Sequence, residues 1–98
     1  MPVQKPEEKF EILFKAEKFF EAHEFLEEFW MQSAGTEKKL YQGLIQIAVA
    51  LHHLKYGNLN GAQTCYKRAK QKLTQLPKKK QIYAQQFLKF YEENLKPL

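Results

Sequence analysis

At 98 residues, with 44% hydrophobic and 14% aromatic content, the chain suits one packed domain, expected to span residues 1–98, and not a disordered segment. A single cysteine, Cys65, excludes an intramolecular disulfide, and the longest nearly apolar run, residues 44–51, holds Gln46 and is far too short to cross a bilayer. The net charge of +5 conceals a division: residues 1–36 carry eight Glu against four Lys, and residues 37–98 carry three Glu against twelve Lys or Arg.

Pro6 followed by Glu7 and Glu8 reads as a helix start, with proline in the first turn and acids facing the positive end of the dipole. Phe10, Leu13 and Phe14 then form an i, i+3, i+4 stripe, and the helix is predicted to run to about Glu17. A second helix is predicted from about Phe20 to Gln32. Ala22, Leu26, Phe29 and Trp30 gather on one side of it, Glu21, Glu24 and Glu28 on the other, and His23 and Glu27 on the flank. Ala34-Gly35 reads as its stop and Thr36 as the N-cap of the next helix.

The third helix, residues 37–56, is apolar nearly all round, which places it at the centre of a bundle with Leu44, Ile47 and Leu51 buried. Its polar exceptions Gln42, Gln46 and His53 share one stripe, while His52 points elsewhere, and Gly43 allows close helix approach. Gly57-Asn58 ends this helix and caps the fourth, whose seam is Leu59, Ala62, Tyr66, Ala69, Leu73 and Leu76, stopped by Pro77. Lys67, Arg68, Lys70 and Lys72 cover much of the rest. Lys78, Lys79 and Lys80 read as a solvated turn before a fifth helix faced by Ala84, Phe87, Leu88, Tyr91 and Leu95. No strand-like alternation occurs. The predicted class is all-α: a compact antiparallel bundle of about five helices, with tetratricopeptide-like hairpins suggested by Tyr56-Gly-Asn-Leu-x-x-Ala62.

Three stretches carry a family resemblance. Phe14 to Trp30, read as Phe-x-x-x-x-Phe-Phe-Glu-Ala-His-Glu-x-Leu-Glu-x-x-Trp, resembles the signature of the small helical family called domain of unknown function 309. Tyr41-Gln-Gly-Leu-Ile-Gln-Ile-Ala-Val-Ala-Leu-His-His-Leu is similar to its second signature and Gly57-Asn58 through Ala62 to its third, so the likeness covers about residues 10–76. It implies a bundle of about five helices with no assigned activity, and motif polar positions at His23, Glu24, Glu27, Gln42, Gln46 and His53. Lys15 and Glu17 stand where the family pattern usually has Asn and Gly.

The chemistry readable in the sequence centres on those polar residues. His23-Glu24-x-x-Glu27 lacks the second His of a zinc-protease helix, and no Glu-x-x-His pairs suggest a di-iron bundle. His23, Glu27 and His53 are the candidates for one divalent metal, in a metal-binding protein or a metal-dependent hydrolase. The favoured reading is a buried layer of His23, Glu27, Gln42, Gln46 and His53 that fixes helix register, with no cofactor. Nucleophilic catalysis lacks a supporting constellation, and Cys65 reads as a packing residue. The expected protein is thus a cytoplasmic structural or protein-interaction module, able to self-associate through its acidic and basic halves. A further alternative is a weak, sequence-blind nucleic-acid binder through Lys67, Arg68, Lys70 and Lys72, since fifteen of the sixteen basic residues are lysine and base readout favours arginine. The opening Met-Pro-Val-Gln-Lys-Pro lacks the apolar run of a signal peptide.

Overall fold

The computed structural model describes residues 5–95; residues 1–4 and 96–98 of the expected domain span, and with them most of the opening stretch, lie outside the described residues. Five helices follow in order: α1 (Pro6–Lys15), α2 (Phe19–Gln32), α3 (Gly35–Lys55), α4 (Leu59–Leu73) and α5 (Lys78–Leu95), with no strand among the described residues. Short turns join them, and α3 is central, packed against α2, α4 and α5. The pairs α2–α3 and α3–α4 are successive hairpins that share this helix.

The apolar stripes explain the packing. Leu44 and Ile47 are fully buried and Leu51 nearly so, as the all-round hydrophobicity of α3 requires. Gly43 lets α4 approach closely: a β-carbon there would overlap Leu73 Cδ2. On the far side, Phe14 meets Phe10, Phe19, Phe87 and Phe90 with ring centroids 4.8–5.7 Å apart, so α5 closes the core that α1 and α2 begin. Edge-to-face geometry predominates, as the ring quadrupoles favour.

Several expected boundaries move. α1 ends at Lys15, and Glu17 adopts φ +61°, the left-handed conformation that a glycine would take without strain. Thr36 is not the cap of α3. Ala34 occupies that position in extended conformation with no side-chain bond, and Gly35 opens the helix at φ +62°. Asn58 caps α4 as expected, its Oδ1 accepting from the Gly61 N–H at 2.9 Å. The lysines 78, 79 and 80 form the first turn of α5 and not a turn before it, because Pro77 breaks only the α4 side. Leu59 and Leu95 leave their predicted seams for solvent, since each sits at a helix end beyond the reach of its neighbours.

Candidate functional site

The side chains with chemical capacity collect along the open seam between α2 and α3. Phe20, His23, Glu27 and Trp30 recur on α2 at steps of three and four, which puts them on one stripe. Gln42, Ile45, Val49, His52 and Tyr56 do the same on α3. The helices run antiparallel, so Phe20 meets His52 at one end (ring centroids 5.5 Å apart) while Lys38 at the start of α3 reaches over the Trp30 ring at the other (5.1 Å).

At the first end the rings are contiguous. Phe20 also touches His23 (5.3 Å), and His52 touches Tyr56 (4.9 Å). Phe20 and Tyr56 are 47% and 72% exposed, so this end presents aromatic surface to solvent. His23 Nδ1 donates to the Phe20 carbonyl at 3.1 Å, and its Nε2 faces Glu27 Oε2 at 3.2 Å. At the second end, Glu27, Trp30, Gln42, Ile45 and Gln46 line a cleft of about 270 Å³. Two polar atoms of the lining residues, Trp30 Nε1 and Gln46 Oε1, are shielded from solvent and have no hydrogen-bond partner among the described residues.

This arrangement differs from a buried polar layer. No polar or charged residue is fully buried among those described, Glu27 is exposed, and His23, Gln42, Gln46 and His53 are half-buried. The stripes sit at the rim of the α2–α3 contact because the small and aliphatic residues Ala22, Leu26, Leu44 and Ile47 fill its interior. Glu27 joins Gln42 and Gln46, but His53 does not join them. It turns toward α4, where Asn58 Nδ2 donates to its Nδ1 at 3.3 Å. No three His, Cys, Asp or Glu side chains among the described residues gather as metal ligands: His23 and Glu27 face each other, and His53 stands apart from the pair. Glu24 lies exposed on the outer face of α2.

Sequence reasoning chose the wrong histidine for this seam and passed over Phe20 and Tyr56. The signal was present: Gln42, Ile45, Val49, His52 and Tyr56 keep a three- and four-residue step, which His53 breaks. Lys67, Arg68 and Lys70 are exposed on α4 and Lys72 is half-buried there, away from the seam. Cys65 packs against the core, and burial raises its thiol pKa despite the opposing pull of Arg68. It is therefore protonated and inert at neutral pH.

The segment matching a curated uncharacterised protein of Aquifex aeolicus (strain VF5) is 46% identical over 52 residues, covering 52% of this chain and 16% of the relative. A second match, the uncharacterised protein YpuF of Bacillus subtilis (strain 168), is 46% identical over 46 residues, covering 46% of this chain and 26% of that protein. The matching segment thus spans about a sixth and a quarter of these curated relatives. No solved structure matches the chain. The sequence model of the family described as Domain of unknown function (DUF309) matches residues 8–65, a stretch that holds the whole α2–α3 seam. With more than half of its length matched, the chain belongs to this family.

Proposed function

We propose that this domain is a protein-interaction module that docks an amphipathic helix of another polypeptide in the α2–α3 seam. The observation that carries the reading is the contiguous run of Phe20, His52 and Tyr56 rings, exposed at Phe20 and Tyr56, at one end of a seam whose other end holds Trp30 and a cleft. Aromatic anchors with a few placed polar groups are what protein-binding hot spots are made of. From Phe20 to Trp30 the stripe is roughly 15 Å long, about three helical turns, which fits the helix-in-groove mode of recognition.

Charge narrows the partner. α2 carries Glu21, Glu24, Glu27 and Glu28 and no lysine or arginine. The docked helix is therefore basic on the flanks of its apolar face. The polypeptide that lies outside the matching segment in both relatives is one source of such a helix. No helix among the described residues is long and apolar enough to cross a membrane. We place the domain in the cytoplasm, where the unpaired Cys65 is at home.

An 18-residue Leu/Lys amphipathic helix tests the reading, with Trp30 fluorescence as the signal, since Trp30 is the sole tryptophan. The expected result is saturable binding that weakens with salt and falls at least fivefold in a Phe20→Ala, Tyr56→Ala double variant. Both side chains are exposed, so the fold survives their loss. Undiminished binding by the double variant overturns the assignment of the seam.

A further inference from the structure

The first turn of α4 holds a chemically reactive pair. Asn60 is followed by Gly61, whereas the chain's other two asparagines, Asn58 and Asn94, are each followed by leucine. An asparagine side chain is open to attack by the main-chain nitrogen of the next residue, and a bulky next side chain obstructs that attack. Glycine offers no obstruction. In this fold the attacking nitrogen is engaged: the Gly61 N–H donates to Asn58 Oδ1 at 2.9 Å, capping α4. Asn58 Nδ2 donates in turn to His53 Nδ1 at 3.3 Å, which keeps the oxygen of the same amide turned to Gly61. The glycine serves this contact and not a special backbone, since only Gly35 and Gly57 are left-handed among the described glycines. A β-carbon on Gly61 would lie 2.7 Å from Asn58 Nδ2 and 3.1 Å from His53 Cγ. The cap that guards the pair is thus what requires the glycine that makes it reactive.

We propose that Asn60 is a site of spontaneous deamidation and that the Asn58 cap sets its rate. Asn60 is exposed, so solvent supplies the base and the water that the reaction consumes. The Gly61 nitrogen gives its proton to solvent and bonds to the Asn60 side-chain carbonyl carbon. The bond from that carbon to the side-chain nitrogen breaks, and the nitrogen takes up a proton and leaves as ammonia. Water then opens the resulting five-membered imide at either carbonyl, leaving an aspartyl or an isoaspartyl linkage; nothing is oxidised or reduced. Helical backbone holds the Gly61 nitrogen away from the carbon it must reach, so attack waits for the first turn of α4 to open, and opening breaks the bond to Asn58. The two products differ in consequence. The first turn of α4 contains no acid, and the aspartyl product adds a carboxylate at the positive end of the helix, where the turn can re-form around it. The isoaspartyl product routes the main chain through one extra carbon and disrupts the capped turn that follows Tyr56.

The test follows the chain in mildly alkaline buffer over time by peptide mass spectrometry, with isoaspartyl content measured in parallel. Wild type is compared with Asn58→Ala, which removes the cap, and with Asn58→Asp, which keeps an oxygen for the Gly61 N–H. Each is measured folded, well below its own melting transition, and again unfolded in urea. The expected result for the folded proteins is conversion at Asn60 and not at Asn94, at least threefold faster in Asn58→Ala than in wild type and within twofold of wild type in Asn58→Asp. In urea the three chains should convert at one common rate, faster than any folded form. Equal folded rates for wild type and Asn58→Ala overturn the proposal. So does a difference between them that persists in urea, because the effect would then belong to the local sequence and not to the cap. Conversion at Asn94 as fast as at Asn60 overturns it as well, and the wild-type comparison of these two sites needs no variant to fold.

Discussion

Four tyrosines show how the fate of one hydroxyl decides a residue's contribution. Tyr41 donates to Glu7 Oε1 at 3.2 Å and Tyr83 to the Glu7 carbonyl at 3.3 Å, fastening α1 to α3 and α5, while Tyr66 donates to Glu92. Tyr91 is fully buried and stacked on Tyr66, but its hydroxyl has no partner among the described residues. Tyr41→Phe should therefore lower stability by about 1 kcal/mol, and Tyr91→Phe should leave it unchanged or raise it by about 1 kcal/mol. Denaturant unfolding of the two variants checks this, and a loss in Tyr91→Phe equal to that in Tyr41→Phe would contradict it. Burial first, and then the neighbouring carboxylates of Glu7, Glu37, Glu11 and Glu92, hold the Tyr41, Tyr66 and Tyr83 phenols well above their ordinary value of 10.0. A phenol whose folded pKa is raised keeps its full stabilising share below about pH 10 and loses it as pH climbs toward the folded value. The melting temperature should fall above about pH 10, and the fall should be shallower in a Tyr41→Phe, Tyr83→Phe variant. Glu17 supplies a third residue-scale expectation. Its left-handed φ of +61° is strained for a side chain with a β-carbon, so Glu17→Gly should stabilise by about 1 kcal/mol, whereas Glu17→Ala should not. Thermal unfolding distinguishes them.

The elements differ in what sets them. α3 is central because its surface offers apolar side chains in every direction, and three helices use them. Leu51→Ala should cost about 2–5 kcal/mol as a buried cavity forms. Gly43→Ala should cost about 1–3 kcal/mol although it adds a single methyl, because that methyl overlaps the side chain of Leu73, which is itself 1% exposed. An undiminished melting temperature for Gly43→Ala would mean that α4 shifts freely against α3. α2 has a double character. Its inner face packs Phe19, Ala22 and Leu26, while its outer stripe presents Phe20, His23, Glu27 and Trp30 along the seam. α4 and α5 rely more on the company they keep. The single seam of α4 is held by Ala62, Ala69 and Leu73, and α5 enters through Phe87 and Phe90 into a ring cluster begun by Phe10 and Phe14.

For the whole molecule, the charge division persists as surface: glutamates cover the outside of α2 and lysines the outside of α4. Copies that meet α2 to α4 would self-associate at low salt, so the sedimentation coefficient should rise with concentration at low ionic strength and not at 0.5 M salt. Monomer under both conditions would remove the idea. The same face should hold DNA or RNA only weakly and without regard to sequence, since Lys67, Arg68, Lys70 and Lys72 can neutralise phosphates but offer little base readout. Sequence-selective nanomolar binding would contradict that expectation. The residues by themselves determined the all-α class, the five helices, the central place of α3 and the core positions Leu44, Ile47 and Leu51, because hydrophobic periodicity is a local record of burial. They also determined the Asn58 cap and the family, both read from short contiguous stretches. Only the tertiary structure decided which polar residues meet. His53 and His52 are adjacent in the chain, yet one turns to Asn58 on the α4 side and the other to Phe20 on the α2 side. Which side is which depends on how neighbouring helices cross, a quantity that periodicity within one helix does not contain. For the same reason the polar stripes read as a buried layer in sequence and lie at the rim in the fold: their burial depends on how far Ala22, Leu26, Leu44 and Ile47 hold α2 and α3 together, and those contacts join residues some twenty positions apart.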